Sequence, residues 1–172
     1  MRRALAALAL GLAAAAQAAQ PLPDAEAAPG ARVEAYFTPG DDIAAVIAGH
    51  IASARRTVQV QAYLFTRRDL AAALARAARR GVTVELVGDA RQHETGGLPV
   101  MKGLARAGVR IWLSGDYAAF HNKVVLVDAL TPSAVVITGS YNFTRAAQEK
   151  NAENVVVISG SPALSRGIPK ML

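Results

Sequence analysis

His121-Asn122-Lys123-Val124-Val125-Leu126-Val127-Asp128, followed after ten intervening residues by Gly139-Ser140-Tyr141-Asn142, decides both fold and chemistry. Lys123–Asp128 and Ala134–Thr138 (Ala-Val-Val-Ile-Thr) are apolar, β-branched runs and read as strands. Ala129-Leu130-Thr131-Pro132-Ser133 between them reads as a turn through its Pro and Ser. An antiparallel hairpin centred near Leu130–Thr131 returns Ser140 to a position opposite His121, with Asn142 just beyond. Side chains alternate along a strand, so His121 and Lys123 share one face while Asn122 and Asp128 look the other way.

The residue types at these positions suit phosphoryl transfer. An imidazole titrating near neutrality can attack phosphorus or protonate a leaving oxygen. The Lys123 ammonium can hold phosphate, and the Ser140 hydroxyl, the Asn142 amide and the Gly139 backbone can donate to phosphoryl oxygens as charge develops. A two-metal nuclease needs several convergent carboxylates, and the sequence offers no such cluster. Asp41-Asp42 is better explained by Asp41 capping a helix. His50 within a helix and His93 in a loop beside Glu94 belong to no ligand set. Neither a metal nor a cofactor is expected.

The same residues resemble the phospholipase D superfamily, whose signature is H-x-K-x(4)-D followed by G-S-x-N. The likeness continues through Phe143-Thr144-Arg145-Ala146 to Asn151-Ala152-Glu153-Asn154. Upstream it takes in Val60-Gln61-Ala62-Tyr63-Leu64-Phe65-Thr66 and Arg80-Gly81-Val82-Thr83-Val84, so it runs from Val33 to Ile158. By composition alone H-x-K-x(4)-D arises in on the order of one chain in a hundred. G-S-x-N on the returning side of a hairpin makes accident far rarer. The gap between Asp128 and Gly139 is longer than the family's usual one. The added residues either lengthen the turn or slip the register, and a slip would turn a strand's faces over.

The resemblance implies that His121, Lys123, Asn142 and Glu153 are catalytic. Glu153 would accept a proton from the far nitrogen of His121, as the carboxylate of a hydrolase triad does. Ser140 and Gly139 would contact substrate, and Asp128, at the far end of the hairpin, would be structural. Arg67 and Arg68 would wall the site. With Arg79-Arg80 and Arg145/Lys150 they can track a phosphate backbone, although a solvated face explains each pair equally well. Phosphodiester cleavage through a covalent phosphohistidine needs two imidazoles, one to attack and one to protonate the departing oxygen. Only one H-x-K occurs, so the resemblance implies a twofold homodimer with His121 of each subunit facing across the axis.

Single-motif members with a leader resemble small periplasmic endonucleases. The expectation is therefore an exported, metal-independent phosphodiesterase acting on DNA or RNA with little sequence preference. The alternative substrate is an anionic phospholipid such as cardiolipin. A catalytically inactive, basic nucleic-acid-binding module is the reading from another class, and intact His121, Lys123, Asn142 and Glu153 argue against it.

Composition bounds these readings. Met1-Arg2-Arg3, an apolar run from Ala4 to Ala16 and Ala16-Gln17-Ala18 form a signal-peptide pattern. The run is short for a bilayer span, so cleavage after Ala18 and a periplasmic or secreted location are expected, with an uncleaved membrane anchor as the alternative. Cleavage would leave 172 − 18 = 154 residues and change 19 basic residues to 17 against 13 acidic ones, a net charge of +4. That field suits polyanions. There is no cysteine, hence neither disulfide nor thiolate chemistry.

The remaining chain alternates strand-like and helix-like segments after a flexible lead-in at 19–31. Strands are expected at Arg32–Phe37, Thr57–Tyr63, Val82–Val87, Val109–Leu113 and Asn154–Ile158. Helices are expected at Asp42–Ala54, from Asp69 as cap through Arg80 to a stop at Gly81, at Leu98–Ala107 ending at Gly108, and from a Thr144 cap to Lys150. The pattern indicates an α/β domain over 32–160, a mixed β-sheet flanked by helices on both faces as in a phospholipase D-like α-β-α sandwich. The tail at 161–172 is short and broken by Gly167 and Pro169.

Overall fold

Strands and helices alternate through the computed structural model, which describes residues 30–168. The expected leader at 1–18, most of the lead-in and the end of the tail lie outside the described residues. In chain order the elements are β1 (Arg32–Thr38), α1 (Ile43–Ser53), β2 (Thr57–Ala62), α2 (Arg68–Arg79) and β3 (Thr83–Asp89). Next come α3 (Ala90–Gln92), a π-helical turn (His93–Gly97), α4 (Leu98–Arg106) and β4 (Arg110–Ser114). The hairpin of β5 (Lys123–Val127) and β6 (Val135–Gly139) follows, then α5 (Arg145–Glu149), β7 (Glu153–Ser159) and α6 (Pro162–Gly167).

The strands form one seven-stranded sheet in the order β1-β7-β6-β5-β2-β3-β4. β2, β3 and β4 run parallel through helical crossovers, whereas β5, β6, β7 and β1 are antiparallel to their neighbours. The mixed α/β class read from the sequence holds. Leu70, Ala73, Leu74 and Ala77 of α2 fall at i, i+3, i+4 and i+7, and all four are buried. With Ile43, Ile47 and Ile51 of α1 and Leu104 of α4 they pack on Val58, Val60, Val84, Leu86, Val125 and Val127 from the sheet. Each such side chain contributes about 1.5–3 kcal/mol by leaving water. On the alternate face Val33 and Phe37 of β1 and Trp112 of β4 stay exposed.

Several local expectations need correction. Asp42, not Asp41, caps α1, accepting from the Ala45 N–H at 2.9 Å, while Asp41 accepts from the Phe37 N–H at 2.8 Å. Asp69 lies inside the first turn of α2, after the cap position at Arg67, where a carboxylate offsets the positive helix end. Thr144 does cap α5, through the Ala147 N–H. β7 starts at Glu153, one residue earlier than expected.

The helix-to-strand joints after α1, α2 and α4 close in two ways. After α2 and α4 the chain turns at Gly81 (φ +90) and Gly108 (φ +89), a region side chains rarely adopt. The joint after α1 has no glycine. There the Asp128 carboxylate takes the N–H groups of Arg55, Arg56 (2.7 Å) and Thr57 (3.0 Å). Arg80, weighed above as a phosphate contact, instead donates to the carbonyls of Ile51 and Ala52 at the end of α1.

The β5–β6 ladder is continuous, with a register one residue from the expected one. Val124 pairs with Thr138 and Val127 with Val135, so the hairpin is centred at Thr131. The additional residues sit beyond Val127, in a turn held by Thr131 N–H to Asp128 C=O and Ala134 N–H to Thr131 C=O. Continuing this register places Gly139 opposite Lys123 and Ser140 opposite Asn122, one residue away from the expected Ser140–His121 pairing.

Candidate active site

The site forms where β5, β6 and β7 begin or end on one side of the sheet. β5 opens at Lys123, so His121 and Asn122 lie just ahead of the strand. Asn122 is anchored to β2 and its loop, its carbonyl accepting from the Tyr63 N–H at 2.8 Å and its side-chain amide donating to Gln61 at 2.8 Å. His121 and Lys123 then converge as alternation predicts. Lys123 Nζ donates to the His121 carbonyl at 2.8 Å and lies 3.2 Å from its Nδ1. An ammonium has no acceptor, so in this contact Nδ1 accepts and Nε2 is left to carry a proton.

Tyr63 completes this corner, and the sequence reading did not single it out. Its ring lies against His121 with centroids 4.4 Å apart, and Lys123 Nζ stands 5.1 Å above the same ring. His121 is exposed, whereas Lys123 is 8% exposed. Burial lowers the Lys123 pKa from its ordinary value, and the Glu153 carboxylate opposes that shift.

Glu153 occupies a different place from the one expected. Its Oε2 accepts from the Ser140 hydroxyl at 2.5 Å and its Oε1 from the Asn151 amide at 2.8 Å. Among the described residues of one chain, Lys123 donates to His121 Nδ1 while Ser140 and Asn151 hold the Glu153 carboxylate, so the expected Glu153–His121 bond is not seen within the chain. The Ser140 hydroxyl also accepts from the Asn154 N–H at 3.0 Å, so it ties β6 to β7. Thr38 braces the same corner, accepting from the Glu153 N–H and donating to the Asn151 carbonyl, both at 3.0 Å.

Gly139 is used for its missing side chain. A Cβ there would overlap the Asn154 carbonyl oxygen and come within 2.8 Å of Val155 Cα. The close approach lets the N–H groups of Ser140 and Tyr141 both reach that carbonyl. Asn142 follows with its carbonyl accepting from the Thr144 N–H at 2.7 Å, and its buried side-chain oxygen has no hydrogen-bond partner. Next to it, the Phe143 carbonyl accepts from the N–H groups of Thr66 and Arg67. That joins Asn142 to a groove of about 400 Å³ lined by Thr66, Arg67, Arg68, Asp69, Arg145 and Glu149. Arg67 is paired with Asp69 at 2.8 Å and Arg145 with Glu149 at 2.7 Å, while Arg68 is exposed.

Asp128 lies at the other end of the hairpin, buried at 4% exposure and engaged with three backbone amides. Burial works against its charge, but those N–H groups hold its pKa below the ordinary carboxylate value. Among the described residues no three His, Asp or Glu side chains come together as metal ligands.

Comparison with known proteins fits this geometry. Residues 47–168 match the model of the "Cardiolipin synthase, PLD-like domain" family. A phospholipase D of Rickettsia bellii is 36% identical over 127 residues, 74% of this chain and 61% of that protein. The mitochondrial cardiolipin hydrolase of Chlamydomonas reinhardtii is 29% identical over 110 residues, 64% of this chain and 47% of that protein. The chain thus spans about three-fifths of the length of the phospholipase D relatives it matches. Among solved structures, the phospholipase D family member Nuc from Salmonella typhimurium superposes with a TM-score of 0.74 at 34% identity, covering 79% of this chain and 88% of that one. NucT from Helicobacter pylori shares the fold, with a TM-score of 0.70 at 23% identity over 79% of this chain and 89% of that one. With the paired His121 and Lys123, the Gly139-Ser140-Tyr141-Asn142 turn and these matches, the chain belongs to the phospholipase D superfamily, in its PLD-like domain family.

Proposed function

We propose that the chain is a phosphodiesterase that cleaves DNA or RNA through a phosphohistidine at His121, in a site completed by a second copy. The observation that carries this reading is the exposed His121 imidazole held between Tyr63 and a buried Lys123. A ring nitrogen of His121 attacks phosphorus as the bond to the leaving oxygen breaks. His121 of the partner subunit supplies the proton that oxygen takes up. Water then attacks phosphorus, the N–P bond breaks, and the proton from water returns to the partner's imidazole.

The arrangement within one chain supports a two-copy site. With Lys123 donating to Nδ1, a neutral ring keeps its proton on Nε2 and is not the nucleophile at that nitrogen, while the partner's His121 gives its proton as an imidazolium. Binding of a phosphoryl oxygen by Lys123 draws the ammonium off Nδ1. That frees the ring to shift its proton and act as nucleophile. Asn142 supplies a buried side-chain oxygen with no hydrogen-bond partner among the described residues. The groove lined by Arg67, Arg68 and Arg145 supports a polyanionic strand as substrate.

Phospholipid is the second reading. The exposed Tyr117, Trp112 and Leu113 precede His121 on β4 and its following loop, and such side chains suit a lipid interface. The relatives named phospholipase D and cardiolipin hydrolase point the same way. The leader pattern supports an exported location. The test is to incubate purified protein with plasmid, RNA and cardiolipin vesicles, with and without chelator. Chelator-insensitive cleavage of nucleic acid is the expected result. Cleavage of cardiolipin alone would move the assignment to the second reading, and chelator-sensitive cleavage would overturn the histidine mechanism.

A further inference from the structure

His93 reads from sequence as a loop residue, yet it is fully buried and makes two hydrogen bonds that permit a single tautomer. Its Nδ1 lies 2.7 Å from the Asp89 carbonyl, which can only accept, and its Nε2 takes the Phe65 N–H at 3.1 Å. The ring is therefore neutral, with its proton on Nδ1. Two glycines enclose it. A Cβ on Gly88 would meet Cε1 at 2.7 Å, and one on Gly97 would overlap Cδ2. The Gly88-Asp89-x(3)-His93-x(3)-Gly97 pattern is thus a socket shaped to an imidazole, and the π-helical turn His93–Gly97 delivers the ring into it.

Asp89 works from the same place. One carboxylate oxygen caps α3 through the Gln92 N–H at 3.0 Å, and the other accepts the Phe120 N–H at 2.8 Å. Burial opposes its charge, but the amides of Gln92, Phe120 and Arg91 keep its pKa low. Phe120 directly precedes His121. On the other arm, Phe65 bridges Phe143, which directly follows Asn142, and the two rings pack at 5.4 Å. One buried node at the end of β3 is therefore bonded one residue before His121 and reaches one residue after Asn142.

We propose that Asp89 and His93 are positioning residues for the phosphodiester reaction, fixing the spacing of His121 and Asn142 through the Phe120 and Phe65 amides. This rests on the phosphodiesterase reading. The experiment compares His93→Leu, His93→Gln and Asp89→Asn in the full chain on the chromogenic diester bis(4-nitrophenyl) phosphate. It is run alongside amide hydrogen exchange and the NMR coupling across the Phe65 N–H···Nε2 bond. A misplacement of about 1 Å costs up to about 100-fold in rate. His93→Leu is therefore expected to lower kcat about 10- to 100-fold with KM nearly unchanged, and to speed exchange at Phe65–Arg67. Glutamine, which can donate and accept at once, restores most of kcat. Asp89→Asn, with the backbone carbonyl intact, lowers kcat while keeping the Phe65 coupling, and it decides the matter if His93→Leu does not fold.

Wild-type kcat in folded His93→Leu, or losses that only track the folded fraction with uniform exchange, would overturn the inference alone. A wild type that cleaves no diester would overturn the phosphodiesterase reading and this inference with it.

Discussion

Replacing Asp128 by Asn separates the motif's structural acid from its chemistry. The shape is kept, and Asn tolerates the positive φ of 47° at this position as readily as Asp. The amide oxygen can still accept from Arg56 and Thr57, but those bonds lose their charged acceptor, at about 1 kcal/mol each. The new NH₂ group faces the Arg55 N–H, which the wild type shares between Oδ2 at 3.0 Å and Oδ1 at 3.2 Å; keeping only the longer contact costs part of the about 1–3 kcal/mol of a fully orphaned donor. Partial access of water to Arg55 favours the low end, so the sum is roughly 3 kcal/mol. In a domain of this size that lowers Tm by about 6–12 °C at fixed protein concentration.

The sign with pH follows from the depressed folded pKa of Asp128. Its stabilisation is fully present above the unfolded carboxylate value of about 3.9 and is lost as pH falls through the lower folded value. Urea unfolding of both proteins at several pH values is the assay. The gap should be widest near neutrality and narrow below about pH 4. kcat per folded molecule should not change, because five strand residues, about 16 Å, separate Asp128 from Lys123. A gap under about 0.5 kcal/mol at neutral pH, one that ignores pH, or a lower kcat in folded Asp128→Asn would refute the reasoning.

Other changes have equally definite outcomes. Glu153→Gln removes the carboxylate that opposes the lowering of the Lys123 pKa, so Lys123 loses its proton at lower pH. The alkaline limb of a kcat/KM–pH profile should move down, and an unmoved limb would detach Lys123 from that limb. Gly139→Ala forces a methyl against the Asn154 carbonyl, at about 1–3 kcal/mol. A thermal melt equal to wild type would show that the β6–β7 approach is not tight. Tyr63→Leu removes the ring beneath His121 and Lys123, whereas Tyr63→Phe retains it. Steady-state kinetics should show a loss for Leu and near-normal kcat for Phe.

Much of this organisation was legible because it is written in short-range patterns. Apolar, β-branched runs at Lys123–Asp128 and Ala134–Thr138, and the glycines after α2 and α4, each act within a few residues. Capping was ambiguous where two acids stood together at Asp41-Asp42, since either carboxylate can reach a free N–H. The partners Glu153 takes within one chain, Ser140 and Asn151, were not legible because they are set by how β6 meets β7. His93 was set aside for a related reason. A lone histidine beside Glu94 carries no periodic signal, and its partners Asp89 and Phe65 meet it only after β2 and β3 are side by side. The glycines at 88 and 97 flanking it were the one available clue. Arg80 likewise reads as a surface cation until α1 and α2 pack.

The most direct test of the chemistry is the mass of the peptide containing His121 after the protein turns over a phosphodiester and is quenched in alkali, where a phosphoramidate bond survives. A phosphoryl adduct on His121, absent from His121→Ala and unaffected by chelator, is the expected result. Continued turnover in His121→Ala, or an adduct on a different residue, would contradict it.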